Sequence, residues 1–265
     1  MGSILCCLML AVPRIFEMSQ TALDEYLEAL TARQPDFGAR LVGIAERSVG
    51  TPYASDPLGE GPGGTVDKDP MMDLTRVDCV TFIEQAIALA ASDSYKAAFD
   101  TLQKIRYKHG ETVFEKRNHF MIADWIASNT FCRDVSSELK VPTATVKRTM
   151  GRKHFFESKN LPDLAKSATE ETLELTYVPN AQAASAEKNL PSPALILFIG
   201  KVDWLFTLHC GLFIRDEDGR GRVYNASSTE GKVVAADFAP IFEKTTRYLG
   251  FTAYEIRKPG GSSMR

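Results

Sequence analysis

Arg76-Val77-Asp78-Cys79-Val80-Thr81-Phe82-Ile83-Glu84 is the stretch on which the reading of this chain turns. Asp78 has a side chain suited to capping a helix N-terminus, and Val80, Ile83, Ile87 and Ala90 recur at spacings that share one helix face. Cys79 then occupies the first helical position. Unpaired amide N–H groups and the helix dipole favour an anion there, which biases a thiol toward its reactive thiolate. Far downstream, Thr207-Leu208-His209-Cys210-Gly211-Leu212-Phe213-Ile214 places a histidine on an apolar segment of strand character. A cysteine opening a helix and a histidine on a distant strand make the pattern of a cysteine hydrolase. Most free cysteines are packing residues, so by spacing alone the two readings stand nearly level.

Outward from this stretch, Leu23, Tyr26, Leu27 and Leu30 mark an amphipathic helix, and Phe37, Leu41 and Ile44 a second that stops before Gly50. Gly50-Thr51-Pro52-Tyr53 opens a loop rich in Gly, Pro and Asp that runs to Asp73. The Cys79 helix extends to about Ser92, a further helix covers 95–105, and 119–128 reads as a short one. From Thr172 the period changes: 171–178, 194–199, 205–214, 223–226, 233–234 and 249–256 read as strands with short connections. Asp216-Glu217-Asp218-Gly219 is a hairpin turn signal after the His209 strand, and the alanine-rich residues 180–188 read as a solvated linker. Helices first and a mostly antiparallel sheet second predict an α+β fold, with the nucleophile helix packed on the sheet that carries the histidine.

At 265 residues the chain accommodates one substantial domain. We expect an extension or degraded signal over 1–20, a single catalytic domain over 21–257 and a flexible tail over 258–265. The net charge of −3 argues against a nucleic-acid binder. Cys6, Cys7, Cys79, Cys132 and Cys210 are odd in number and scattered, giving neither a disulfide framework nor paired zinc spacing. The four histidines show no HxxxH or HExxH arrangement, so no metal or other cofactor is expected. The apolar run from Ile4 to Val12 is too short to span a bilayer and lacks the basic flank of a signal peptide; it reads equally as a segment packing on the core. No other segment could cross a membrane.

A thiolate needs an imidazole partner, and that imidazole needs an orienting acceptor. Val223-Tyr224-Asn225-Ala226-Ser227-Ser228 follows the acidic hairpin, so on paired strands Asn225 can face the same way as His209 and accept from its ring. The competing reading makes Asn225 a strand-edge or turn residue. Tyr53, on the loop before the Cys79 helix, could donate toward an oxyanion beside the Cys79 backbone N–H, or simply pack.

Taken in order, Gly50-Thr51-Pro52-Tyr53, Asp78-Cys79-Val80-Thr81-Phe82-Ile83-Glu84, Ile105-Arg106-Tyr107, Arg117-Asn118-His119-Phe120 with Asp124-Trp125-Ile126, His209-Cys210-Gly211-Leu212 and Asn225-Ala226-Ser227-Ser228 resemble the N-acetylmuramoyl-L-alanine amidase-like family, a branch of the NlpC-type, papain-like cysteine hydrolases. The resemblance runs from about Ala39 to Arg257, and the Cys79 and Arg117–Trp125 blocks carry most of its specificity. It implies a papain-like core with a helical insertion. It also implies hydrolysis of the amide between the lactyl group of N-acetylmuramic acid and L-alanine in peptidoglycan fragments, in the periplasm or outside the cell, with cytoplasmic action on recycled fragments as the alternative.

By position, the resemblance makes Cys79 the nucleophile, His209 the base, Asn225 the polar third member and Tyr53 the tyrosine of the Gly-x-Pro-Tyr motif. Arg117, Asn118 and His119, with Asp78 beside the nucleophile, fall to the substrate cleft. A cation such as Arg117 suits the free carboxylates of a stem peptide, against the plainer reading of a surface salt bridge. For His119 the plainer reading is a helix-start residue satisfied by backbone. The chain departs from the family pattern at Ser192-Pro193-Ala194, where a Gly-Asp pair is usual, and at Cys210, where a β-branched residue is usual. Cys210 should face away from His209 and serve packing. Competing functions are a D-glutamyl–diaminopimelate endopeptidase, a catalytically silent cell-wall binding protein and a cysteine acyltransferase.

Overall fold

Four helices build the N-terminal half, and each begins at a residue that can cap it. The computed structural model describes residues 13–260. The apolar run Ile4 to Val12, Cys6, Cys7 and the last five residues of the expected tail lie outside the described residues. Helices α1 (Gln20–Arg33), α2 (Phe37–Arg47), α3 (Cys79–Ala91) and α4 (Tyr95–Arg106) follow Ser19, Asp36, Asp78 and Ser94. Each of these side chains accepts from the backbone N–H three residues on, satisfying one of the donors that a helix start leaves open.

Helix α3 is the central one. Every residue from Thr81 to Ala90 is buried, because α3 is covered by α2 and α4 on one side and by the sheet on the other. An apolar helix without a polar face is stable only in such a setting. The short helix read at 119–128 is a π-helical turn over Met121–Ile126, in which the N–H groups of both Asp124 and Trp125 reach the Phe120 carbonyl.

The sheet is antiparallel throughout. Its strands are β1 (Cys132–Asp134), β2 (Ala144–Thr149), β3 (Thr172–Pro179), β4 (Ala194–Gly200), β5 (Thr207–Arg215), β6 (Gly221–Ser227), β7 (Lys232–Asp237) and β8 (Tyr248–Ile256). They run β2-β3-β8-β4-β5-β6-β7, with the short β1 also paired to β8. Strand β4 is apolar at every position because both of its faces are covered. Leu195, Leu197 and Ile199 join the core under α3, while Ala194, Ile196 and Phe198 join a second cluster on the other face. That second cluster is aromatic, with Phe198, Phe213, Phe238, Phe242 and Phe251 in edge or tilted contact.

The hairpin at Asp216–Gly219 forms as read, with Gly219 at φ 81°. The solvated linker does not. Residues 180–188 hold a 3-10 turn and helix α7 (Ala183–Glu187), and Ala183 and Ala186 are fully buried. Alanine there permits close approach to α8 (Phe238–Glu243); the composition that looked solvated is a tight packing surface. A helical insertion, α5 (Arg152–Ser158) and α6 (Pro162–Ser167), separates β2 from β3. The architecture is thus α+β, helices against an antiparallel sheet.

Candidate active site

Cys79 stands where α3 meets the sheet. Asp78 fixes the start of the helix: its carboxylate accepts from the Thr81 N–H at 2.8 Å, and the Thr81 hydroxyl accepts from the Asp78 N–H at 2.9 Å. Helix α3 packs over β5 and β6, which brings the Cys79 side chain beside His209, close enough for each to shift the other's proton affinity.

The histidine is held from three sides. Its Nε2 lies 2.9 Å from the Asn225 Oδ1, and its ring packs 5.1 Å, centroid to centroid, from Phe198. The Asn225 amide is oriented in turn by its own NH2 group, which donates to the Val223 carbonyl at 3.3 Å. With Oδ1 fixed as the acceptor, Nε2 must carry a hydrogen, which leaves Nδ1 as the ring nitrogen available to another partner. Gly211 makes the arrangement possible. A Cβ there would stand 2.5 Å from the Val223 Cγ1, 2.9 Å from the Tyr224 carbonyl oxygen and 3.2 Å from the Asn225 Cβ.

These contacts shift protons together. The Cys210 thiol, donating toward Cys79, and then the His209 ring, through its hydrogen bond and positive charge, hold the Cys79 thiol well below the ordinary range against burial. Burial pushes His209 down, but its bonds to Cys79 and Asn225 outweigh that and raise it. Both shifts run in the direction of a thiolate–imidazolium pair. Asp78 is pushed up to about 6, by burial first and by the neighbouring thiolate second. Tyr53 is placed on the same side by its N–H bond to Gly231 and its bridge to Val77. Burial, and then the charges of Cys79 and Asp78, raise the Tyr53 hydroxyl, which keeps its proton and its capacity to donate.

A cleft leads away from Cys79. Its near part, about 240 Å³, is lined by Asp78, Val80, Arg117, His119, Phe155 and Lys159 among others. A second cavity of about 420 Å³ adjoins it across Arg117 and His119 and reaches Lys108, Asp124 and Arg152. Among the described residues no three His, Cys, Asp or Glu side chains cluster as metal ligands.

Residues 43–249 match the sequence profile of the N-acetylmuramoyl-L-alanine amidase-like family. The chain belongs to that family. Solved structures of similar fold include a Legionella pneumophila protein, 19% identical, with a TM-score of 0.81 over 91% of this chain and 95% of that one. An N-acetylmuramoyl-L-alanine amidase from Bacteroides uniformis is 23% identical, with a TM-score of 0.69 over 84% of this chain and 99% of its own. A further structure under that name from the same organism is 20% identical, with a TM-score of 0.66 over 84% and 99% of the two chains. Comparison with proteins of curated function gives no match.

Within this amidase-like protein, the predicted site residues divide. Cys79, His209, Asn225, Tyr53 and Asp78 come together. Arg117, Asn118 and His119 sit along the adjoining cleft, but their polar groups are turned into the protein. The Arg117 guanidinium bonds Glu60 at 2.6 Å and Asp67 at 2.8 Å, with Asp56 at 3.6 Å, so the expected carboxylate clamp is already occupied. Neither is it a surface salt bridge, since Arg117 and Glu60 are both buried. The Asn118 amide donates to the Ile105 carbonyl and accepts from Ser128. His119 meets the Phe114 carbonyl at 2.9 Å, and burial pushes it down to about 4, so it is a neutral, backbone-satisfied ring.

Sequence reading missed several groups. Glu84 is buried below the site, paired with Arg106 at 2.7 Å and accepting from the Trp125 indole at 3.0 Å. A lone carboxylate inside an otherwise apolar helix was the available signal. Cys210 does face the α3 core as expected, but it does more than pack: its Sγ lies 3.2 Å from the Cys79 carbonyl oxygen. Lys159, bonded to Asp56 at 2.6 Å across the mouth of the cleft, carried no sequence signal.

Proposed function

We propose that this chain is a cysteine amidase on a papain-like, NlpC-type core, cutting the bond between N-acetylmuramic acid and L-alanine in peptidoglycan fragments. The observation that carries the chemistry is the relay Cys79–His209–Asn225, with the thiolate at a helix start and the imidazole fixed through Nε2. Membership of the amidase-like family supports the substrate class.

In this reading the Cys79 sulfur attacks the lactyl carbonyl carbon, and the carbonyl electron pair moves to oxygen. The Cys79 N–H, free of any intrahelical partner at the first helical position, and the protonated Tyr53 hydroxyl are placed to receive that oxyanion. Collapse breaks the C–N bond as His209 gives its Nδ1 proton to the L-alanine nitrogen. The neutral ring then takes a proton from water, which attacks the thioester and releases the muramic acid carboxylate and the thiolate. Asn225 holds the ring through both protonation states.

The peptide would run along the cleft past Phe155, Lys159, Lys108 and Arg152; the three cations are paired with Asp56, Asp124 and Glu171, but they are more exposed than Arg117 and can turn toward the stem carboxylates. Arg117, Asn118 and His119 shape that wall from behind, and Asp78 acts chiefly by fixing the helix start. A site of action outside the cytoplasmic membrane follows from such a substrate.

The test is mass spectrometry of purified muropeptides incubated with the wild type and with Cys79→Ala. Free peptide beginning at L-alanine, absent with the variant, is the expected result. Products that retain muramoyl-L-Ala-D-Glu would move the cut to the endopeptidase bond, and unchanged muropeptides would remove the hydrolase reading.

A further inference from the structure

Two thiols meet at this site, and the relay uses only one. Cys210 is fully buried, and its thiol donates to the carbonyl oxygen of Cys79 across 3.2 Å, which sets the two cysteines side by side. Cys79 is only partly buried, and the residues on either side of it, Asp78 and Val80, line the cleft. An oxidant from solvent therefore reaches Cys79 first, and among the described residues the thiol beside it is the internal one of Cys210. The remaining described cysteine, Cys132, is buried on β1, at the far side of β8 and β4 from β5.

We propose that Cys79 and Cys210 form a reversible disulfide, with Cys79 as the peroxide-reactive thiolate and Cys210 as the resolving thiol. This rests on the reading of Cys79 as the nucleophile. The Cys79 thiolate attacks one oxygen of hydrogen peroxide; the O–O bond breaks, hydroxide leaves and Cys79 becomes a sulfenic acid. The Cys210 sulfur then attacks the Cys79 sulfur. The S–O bond breaks, hydroxide takes the Cys210 proton to leave as water, and the S–S bond forms. Sulfur is oxidised by two electrons in all and peroxide is reduced by two. A dithiol reductant reverses the final state. Without Cys210, the sulfenic acid is open to further oxidation to sulfinic acid, which a dithiol does not reverse.

The experiment is non-reducing peptide mapping of the full chain after a hydrogen peroxide titration. Trypsin places Cys79 in peptide 77–96, Cys210 in 202–215, Cys132 in 118–133, and Cys6 and Cys7 together in 1–14, so each pairing is separately visible. We expect 77–96 cross-linked to 202–215, and return of an alkylatable Cys79 after dithiothreitol. In Cys210→Ala, and in the bulkier Cys210→Val, recovery of that thiol should fall on the order of tenfold as sulfinic acid accumulates. Sulfinic Cys79 beside an intact Cys210 thiol in the wild type would overturn the proposal, as would a Cys79–Cys79 link between chains. These readouts do not depend on turnover. A missing disulfide with an inactive Cys79→Ala removes only the switch, whereas a disulfide with an active Cys79→Ala removes the nucleophile assignment.

Discussion

Asn225 shows how a single amide can set a proton position. Its NH2 group is tied to the Val223 carbonyl and its oxygen to the His209 Nε2, so the ring can neither flip nor choose its tautomer freely. In Asn225→Ala the amidase rate should fall about 10–100-fold through kcat, with KM little changed. The alkaline limb of its pH profile should also move down, because the lost bond was raising His209. A profile that kept its alkaline limb would return Asn225 to a structural role. Asp78 makes a separate prediction. Its folded pKa of about 6 lies above the ordinary 3.8, so its contribution to stability is full below pH 3.8 and is lost as pH rises through 6. Asp78→Asn keeps the capping oxygen and removes that loss. Thermal unfolding should find the variant gaining on wild type by about 1–2 kcal/mol between pH 4 and 7, a difference in which the opposite response of His119 cancels. At this scale Cys79, His209 and Asn225 were legible because each is announced by its immediate neighbours: a cap, a strand and a hairpin. The ion-pair partners of Arg117 were not legible because Glu60 and Asp67 come from 57 and 50 residues away.

Between elements, the junction of α3 with β5 and β6 decides whether the site exists. The Glu84–Arg106 pair ties α3 to α4; Trp125 donates to Glu84 and the Leu58 carbonyl accepts from Arg106. Glu84→Gln retains an acceptor for Trp125 but strands the Arg106 charge, and should destabilise by about 3–5 kcal/mol in denaturant unfolding. Adding Arg106→Met to Glu84→Gln should recover part of that loss; a double variant no better than the single would mean that the pair acts through its shape and not its charge. Elements with strong periodicity were read most closely: α3, α4 and β4 to within about a residue, and α1 by its buried positions Leu23 and Leu27. Strand β2 escaped because Ala144–Thr149 is mostly exposed or half-exposed and offers little apolar alternation. Helix α7 escaped because alanine reads alike in a solvated linker and in a close helix contact.

Across the whole molecule, the order of the sheet was the part sequence could not supply. Hairpin neighbours β5-β6-β7 follow from short connections, but β8 lies between β4 and β3 and also pairs with β1. Those pairings join residues 48 or more positions apart, and no local signal encodes them. A chain ended before Tyr248 should lack a cooperative unfolding transition and be digested rapidly by protease; a truncated chain that still unfolded cooperatively would show that the other strands suffice. The consequence reaches into synthesis. While a ribosome is still adding residues short of Ile256, the strands on either side of β8 have nothing between them. The Cys79–His209 pair, carried by α3 and β5, therefore rests on a sheet whose two halves are joined only when β8 has been added. Fragments released early by a stalled ribosome carry Cys79 and His209 on a sheet that is still in two parts.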